Sequence, residues 1–204
     1  ASTPYISKTY YFTLDKAPVN TGGGSSGGSS RSSGGGGGGG VASVEDFDNI
    51  VMFEKRDGTI SVGKDITLSF TTLGQGIYQV ILSGESQDVT VRIDNLKHHQ
   101  KDVTEAPGKT LLYSDVMISS SRIKSFSFDF KLNKTDITNT ENVKAYVWEN
   151  NTWKALETNV INSDASYVYF GASSTPAKLT KLAFVEIETS NSEETTAKIE
   201  LAKI

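Results

Sequence analysis

The chain has 204 residues, no cysteine and a formal net charge of −4. With no basic cluster beyond "KHHQK" (97–101), that charge argues against a nucleic-acid or anionic-membrane partner, since both need a basic face. Without thiols there is no disulfide framework, thiolate metal site or Cys nucleophile, so a hydrophobic core has to hold the fold.

Residues 1–20 read as one extended strand segment. "KTYYFTLDK" (8–16) sets Tyr10, Phe12 and Leu14 on one face and Tyr11, Thr13 and Asp15 on the other, between Pro4 and Pro18. A single strand is not stable alone in water, so this one needs a sheet to join. Residues 21–40, "TGGGSSGGSSRSSGGGGGGG", hold 12 of the 19 glycines, which marks them as a flexible tether. A Gly/Ser coil of this length spans roughly 25 Å r.m.s. and about 70 Å at full extension. That reaches the chain's own domain or a neighbouring copy. The tract formally matches G-x-S-x-G and G-x-G-x-x-G, but by composition alone, without the strand–turn–helix setting those motifs need.

Residues 41–204 read as one β domain. Period-2 alternation runs through "NIVMFEK" (49–55), "ITLSF" (66–70), "GIYQVIL" (76–82), "DVTVRID" (88–94), "LLYSDVMI" (111–118) and "FSFDFKL" (126–132). It continues in "VKAYVW" (143–148), "YVYF" (167–170), "LAFVEI" (182–187) and "AKIEL" (197–201). Turn signals separate these runs: "RDGT" (56–59), "GQG" (74–76), "SGESQD" (83–88), "APGK" (106–109), "ENNT" (149–152) and "NSDAS" (162–166). The polar stretch 132–143 is expected to be a connection with one helical turn. Roughly ten short strands at this spacing predict an all-β fold, an antiparallel β-sandwich.

No residue set forms a catalytic constellation. His98 and His99 are adjacent, so on a strand they would face opposite ways, and they are expected to be solvent-facing polar residues in a connection. Asp46, Asp48 and Asn49 offer hard oxygen ligands for Ca²⁺ without a full loop signature. Trp148 and Trp153 are expected to serve a sheet face or the core, not a carbohydrate platform. Asn133-Lys134-Thr135 and Asn150-Asn151-Thr152 are N-x-[ST] sequons in predicted loops, making Asn133 and Asn150 the glycosylation candidates. No enzyme activity, cofactor or metal is expected.

From Val41 to about Ile187 the chain resembles the PGF-pre-PGF domain of archaeal cell-surface proteins. The likeness is carried mainly by "VKAYVWENNTWKALETNVINSDASYVYFGASSTPAKLTKLAFV" (143–185), and also by "TEAPGKTLLYSDVMI" (104–118). The family's "TPGFS" stands here as Thr175-Pro176-Ala177-Lys178-Leu179. Family members commonly continue into a stalk and an anchoring signal. Here "TTAKIELAKI" (195–204) reads as a further strand, so surface retention is expected through protein contacts and not by membrane insertion. The resemblance implies an extracellular, cell-surface setting in which N-linked glycans have a context. Together with the tethered strand it leads to an expected function. The chain is a structural subunit of a filament, sheath or surface layer that polymerises with itself, exchanging the strand carrying Tyr10, Phe12 and Leu14. The alternative is a monomeric surface binding or adhesion module with that strand paired in cis.

Overall fold

A computed structural model describes residues 41–177 and 179–188. The N-terminal strand segment with Tyr10, Phe12 and Leu14, the tether and the strand candidate at 197–201 lie outside the described residues.

The described chain forms eleven strands: β1 (Ile50–Ile60), β2 (Ile66–Ser69), β3 (Gly76–Gly84), β4 (Gln87–Leu96), β5 (Lys109–Ile118), β6 (Ile123–Asn133), β7 (Val143–Glu149), β8 (Thr152–Ala155), β9 (Thr158–Ser163), β10 (Tyr167–Ser174) and β11 (Leu179–Glu186). They build two antiparallel sheets, a six-stranded one in the order β1-β4-β5-β11-β7-β8 and a five-stranded one in the order β2-β3-β6-β10-β9. This is the expected antiparallel sandwich. The stretch 132–143 holds two short 3-10 turns, Lys134–Asp136 and Thr140–Asn142, where one helical turn was expected.

Alternation accounts for the core. On β6, Phe126, Phe128, Phe130 and Leu132 all point between the sheets and are at most 2% exposed. Phe130 stacks on Phe170 at 5.0 Å between ring centroids and on Phe184 at 4.2 Å, so one aromatic column joins β6, β10 and β11 across the interior. Ile77, Val80 and Leu82 of β3 and Val91 and Ile93 of β4 complete the layer. Burying side chains of this size contributes about 1.5–3 kcal/mol each, which explains a stable domain without disulfides.

The "RDGT" turn signal is a correction, because Arg56 to Thr59 lie inside β1, which runs straight through them. Gly58 is there for space and not for a bend. A Cβ on it would come within 2.9 Å of Leu68 Cδ2, on the strand that packs against this face. The turn falls later, at Gly63, with φ +70°.

A second, smaller core lies on the outer face of the six-stranded sheet. The connection 97–108 between β4 and β5 folds back over that face. Leu96, Ala106, Tyr113, Ala183 and Val185 bury together there, with Tyr146 and Trp153 packed alongside. Trp153 Nε1 donates to Thr104 O at 2.8 Å and pins the connection down.

Candidate subunit-contact edge

A sandwich offers four sheet edges, and each presents backbone donors and acceptors that another strand can use. β1 carries four consecutive charged residues, Glu54, Lys55, Arg56 and Asp57. β2 is four residues long and lies beside β1. Arg56 Nε donates to Ser69 O at 2.8 Å, occupying a carbonyl at its end. Glu54, 4% exposed, accepts from Thr72 N at 2.8 Å and Thr72 Oγ1 at 2.6 Å, and it pairs with Arg56. These contacts close that side of the sandwich. β8 has four residues, and its Lys154 pairs with Glu149 at 3.2 Å.

β9 differs from the other three. Its six residues, "TNVINS", contain no charge and no proline. Only Thr158 is buried, where its Oγ1 accepts the Ala145 N–H at 2.9 Å and joins the strand to β7. Val160 pairs with Phe170, whose ring faces the core, yet Val160 is 52% exposed at the rim. The register with β10 shifts at Ile161, which is 53% exposed and lies across Gly171. The β9–β10 turn is rigid. Asp164 accepts from Ser166 N and Tyr167 N, each at 2.8 Å, and from Tyr169 Oη at 2.5 Å. Those bonds, the Tyr169 hydroxyl first, hold the Asp164 carboxyl below its ordinary value.

The two sequon asparagines are placed differently. Asn150 and Asn151 form the tight β7–β8 turn with φ +52° and +60°, and Asn150 is exposed there. Asn133 ends β6 half-buried, its amide donating to Gln75 Oε1 at 3.1 Å and Asp136 Oδ2 at 3.3 Å. Asn150 therefore has the accessible side chain.

The remaining candidates are structural. His98 and His99 are exposed in the β4–β5 connection, His98 N donating to Asn49 Oδ1 at 3.0 Å. Asn49 Nδ2 donates to Glu45 Oε2 at 3.2 Å, so the Asn49 amide ties chain segments together. Among the described residues no group of three or more His, Asp or Glu side chains is arranged to hold a metal. Trp148 and Trp153 contact each other edge to face at 5.3 Å on the outer sheet face. A cleft of about 560 Å³ opens beside His98, Glu105 and Tyr113. At its floor Asn95 donates to Gln75 O at 2.8 Å and accepts from Ser114 Oγ at 2.8 Å, so its polar groups serve the fold.

Periodicity did not reveal the buried polar row beneath the 97–108 connection. Asp94 and Asp115 are directly opposite across β4 and β5, and Lys181 is opposite Asp115 on β11. Both aspartates are 0% exposed, as is Gln100, whose Nε2 donates to Ser114 O and Leu182 O at 3.1 Å each. Arg92 Nε meets Asp94 Oδ1 at 2.7 Å, whereas among the described residues both Asp115 oxygens and Gln100 Oε1 find no partner within hydrogen-bond distance. Burial pushes the Asp115 carboxyl up to about 7, with Glu45 and Asp94 adding to the rise and Gln100 and Lys181 opposing it.

No family model matches the chain, and no curated protein or solved structure resembles it.

Proposed function

We propose that the protein is a structural subunit of an extracellular, cell-surface assembly, and that subunits join by exchanging the N-terminal strand segment. The observation that carries this reading is a pairing of opposites. Among the described residues one edge of the sandwich has no strand beside it, carries no charge and exposes Val160 and Ile161, while the sequence supplies an alternating apolar segment on a 20-residue Gly/Ser tract. Strand addition uses such parts directly: backbone hydrogen bonds give affinity and alternating side chains give register. Asn150, exposed at a tight turn, is the preferred glycan acceptor. An intact mass of the bare 22.0 kDa chain from the native source would remove that part of the reading.

The test is negative-stain microscopy of the full chain beside a variant with Tyr10, Phe12 and Leu14 all changed to Ser. Filaments, tubes or sheets are expected from the unaltered chain and dispersed particles from the variant. Assemblies that survive the triple change would refute strand exchange. Dispersed particles from both would favour a monomeric surface module.

A further inference from the structure

We propose that β9 is the acceptor edge: residues 5–16 of a second copy add to its free side as a sixth strand of the five-stranded sheet. This rests on the strand-exchange reading above and specifies its receiving surface.

Three observations single out β9. Among the described edges, β1 and β8 carry charge and β2 is four residues long, whereas β9 offers six residues with neither charge nor proline, the features that keep other strands from adding. Its exposed apolar residues sit on both faces, Val160 with the core-facing row and Ile161 over Gly171 on the outer face. An incoming strand with Tyr10, Phe12 and Leu14 on its inner face covers Val160, while Tyr11 on the other face reaches Ile161. The strand also meets no like charge, since β9 has none.

A neighbour's strand is the occupant proposed, in keeping with the exchange reading above, and the chain's own strand is its competitor. The described chain begins at Val41, and Glu45 anchors this entry over the outer face of the six-stranded sheet by accepting from Lys101 N at 2.9 Å, beside Gln100, which bonds β5 and β11. β1 and β2 form one long side of the sandwich, and β8 and β9 form the other. The described chain thus begins over the middle strands of the six-stranded sheet, and the acceptor edge lies on the β8–β9 side. A strand given to a neighbour's edge joins two unlike surfaces, and such a contact repeats as a ring or as an open fibre or tube. From there the acceptor edge is within reach of the tether in either mode, so the experiment has to separate them.

The chain has no cysteine, so introduced ones report without background. Full-length chains carrying Thr13→Cys are mixed with chains carrying Asn159→Cys or Asn162→Cys and oxidised. A Lys55→Cys chain on β1 serves as control. Trans addition predicts, in the digested dimer from the β9 mixtures, the Thr13→Cys peptide linked to the Asn159→Cys or Asn162→Cys peptide, and no link between the Thr13→Cys and Lys55→Cys peptides in the control. Val160→Lys in the acceptor chain is expected to cut that yield at least tenfold. Linkage to Lys55→Cys in place of β9 overturns the proposal. So does a link that forms only within a chain carrying both cysteines. If the triple Ser variant abolishes assembly but no β9 cysteine links, β9 is wrong while strand exchange stands. If the triple variant assembles normally, strand exchange itself is wrong.

Discussion

On one long side of the sandwich, β1 and β2 meet through a buried carboxylate, a guanidinium and a glycine cut to fit Leu68. On the other, β9 ends its sheet with two half-exposed aliphatic side chains and no charge at all. Both sides belong to one domain with one core, so the general need to bury apolar surface does not explain the contrast. The finished side spends its polar groups internally: Glu54 caps Thr72 and Arg56 takes a β2 carbonyl. The bare side leaves its backbone groups and Val160 for something else. A sheet edge that is not guarded is a liability to a protein that stays alone, and a binding surface to one that assembles.

The contrast is broken most severely from the finished side. Glu54→Ala removes the acceptor of a buried N–H and the carboxylate beside Arg56. It is expected to cost about 3–5 kcal/mol in chemical denaturation. Its effect on assembly should follow stability only, with no specific loss of strand capture.

The next largest effect is on pH dependence. Asp115 has a carboxyl raised by burial from 3.8 to about 7. The folded state therefore binds a proton that the unfolded chain releases above pH 4. The stability linked to this group is complete below about pH 4 and is lost as pH rises through 7, a change of up to about 4 kcal/mol. Glu186 acts oppositely. Burial alone would raise its carboxyl, but donors from Asn139, Lys109 and Thr138 outweigh burial and lower it, so its contribution is lost only under acid. Denaturation curves between pH 5 and 8 should show falling stability, and Asp115→Asn should flatten that slope. A slope of the opposite sign would mean that Asp115 is ionised throughout.

A smaller effect is expected at the cap of the six-stranded sheet. Trp153→Phe loses the bond to Thr104 O and should cost about 1 kcal/mol, with faster hydrogen exchange confined to 97–108. The smallest effect on stability is expected on the bare side. Val160→Lys should change it by no more than about 0.5 kcal/mol while removing assembly, because among the described residues that side chain stands half-exposed at the rim. A large loss of stability there would make Val160 a core residue and the contrast false.

Much of the fold was legible. "FSFDFKL" and "DVTVRID" alternate cleanly because each faces the core on one side, and period-2 patterning records that directly. β9 was not legible as a strand. "TNVINS" has two asparagines, which strands disfavour, and its shifted register hides the alternation. The edge argued to receive the partner is thus the element that pattern alone does not find. The buried Asp94–Asp115 row escaped for another reason. In sequence both residues look like ordinary outward polar positions, and only the fold-back of 97–108 takes them out of water. The exposure of His98 and His99 and the packing role of both tryptophans were expected from composition and context, and the coordinates place them so.

The most direct measurement is hydrogen exchange on the full-length chain, compared between assembled and dissociated states. Strand addition at β9 predicts slower exchange on assembly at the amides of 159–162, with those of β1 unchanged. Unchanged exchange at 159–162 in verified assemblies would contradict it.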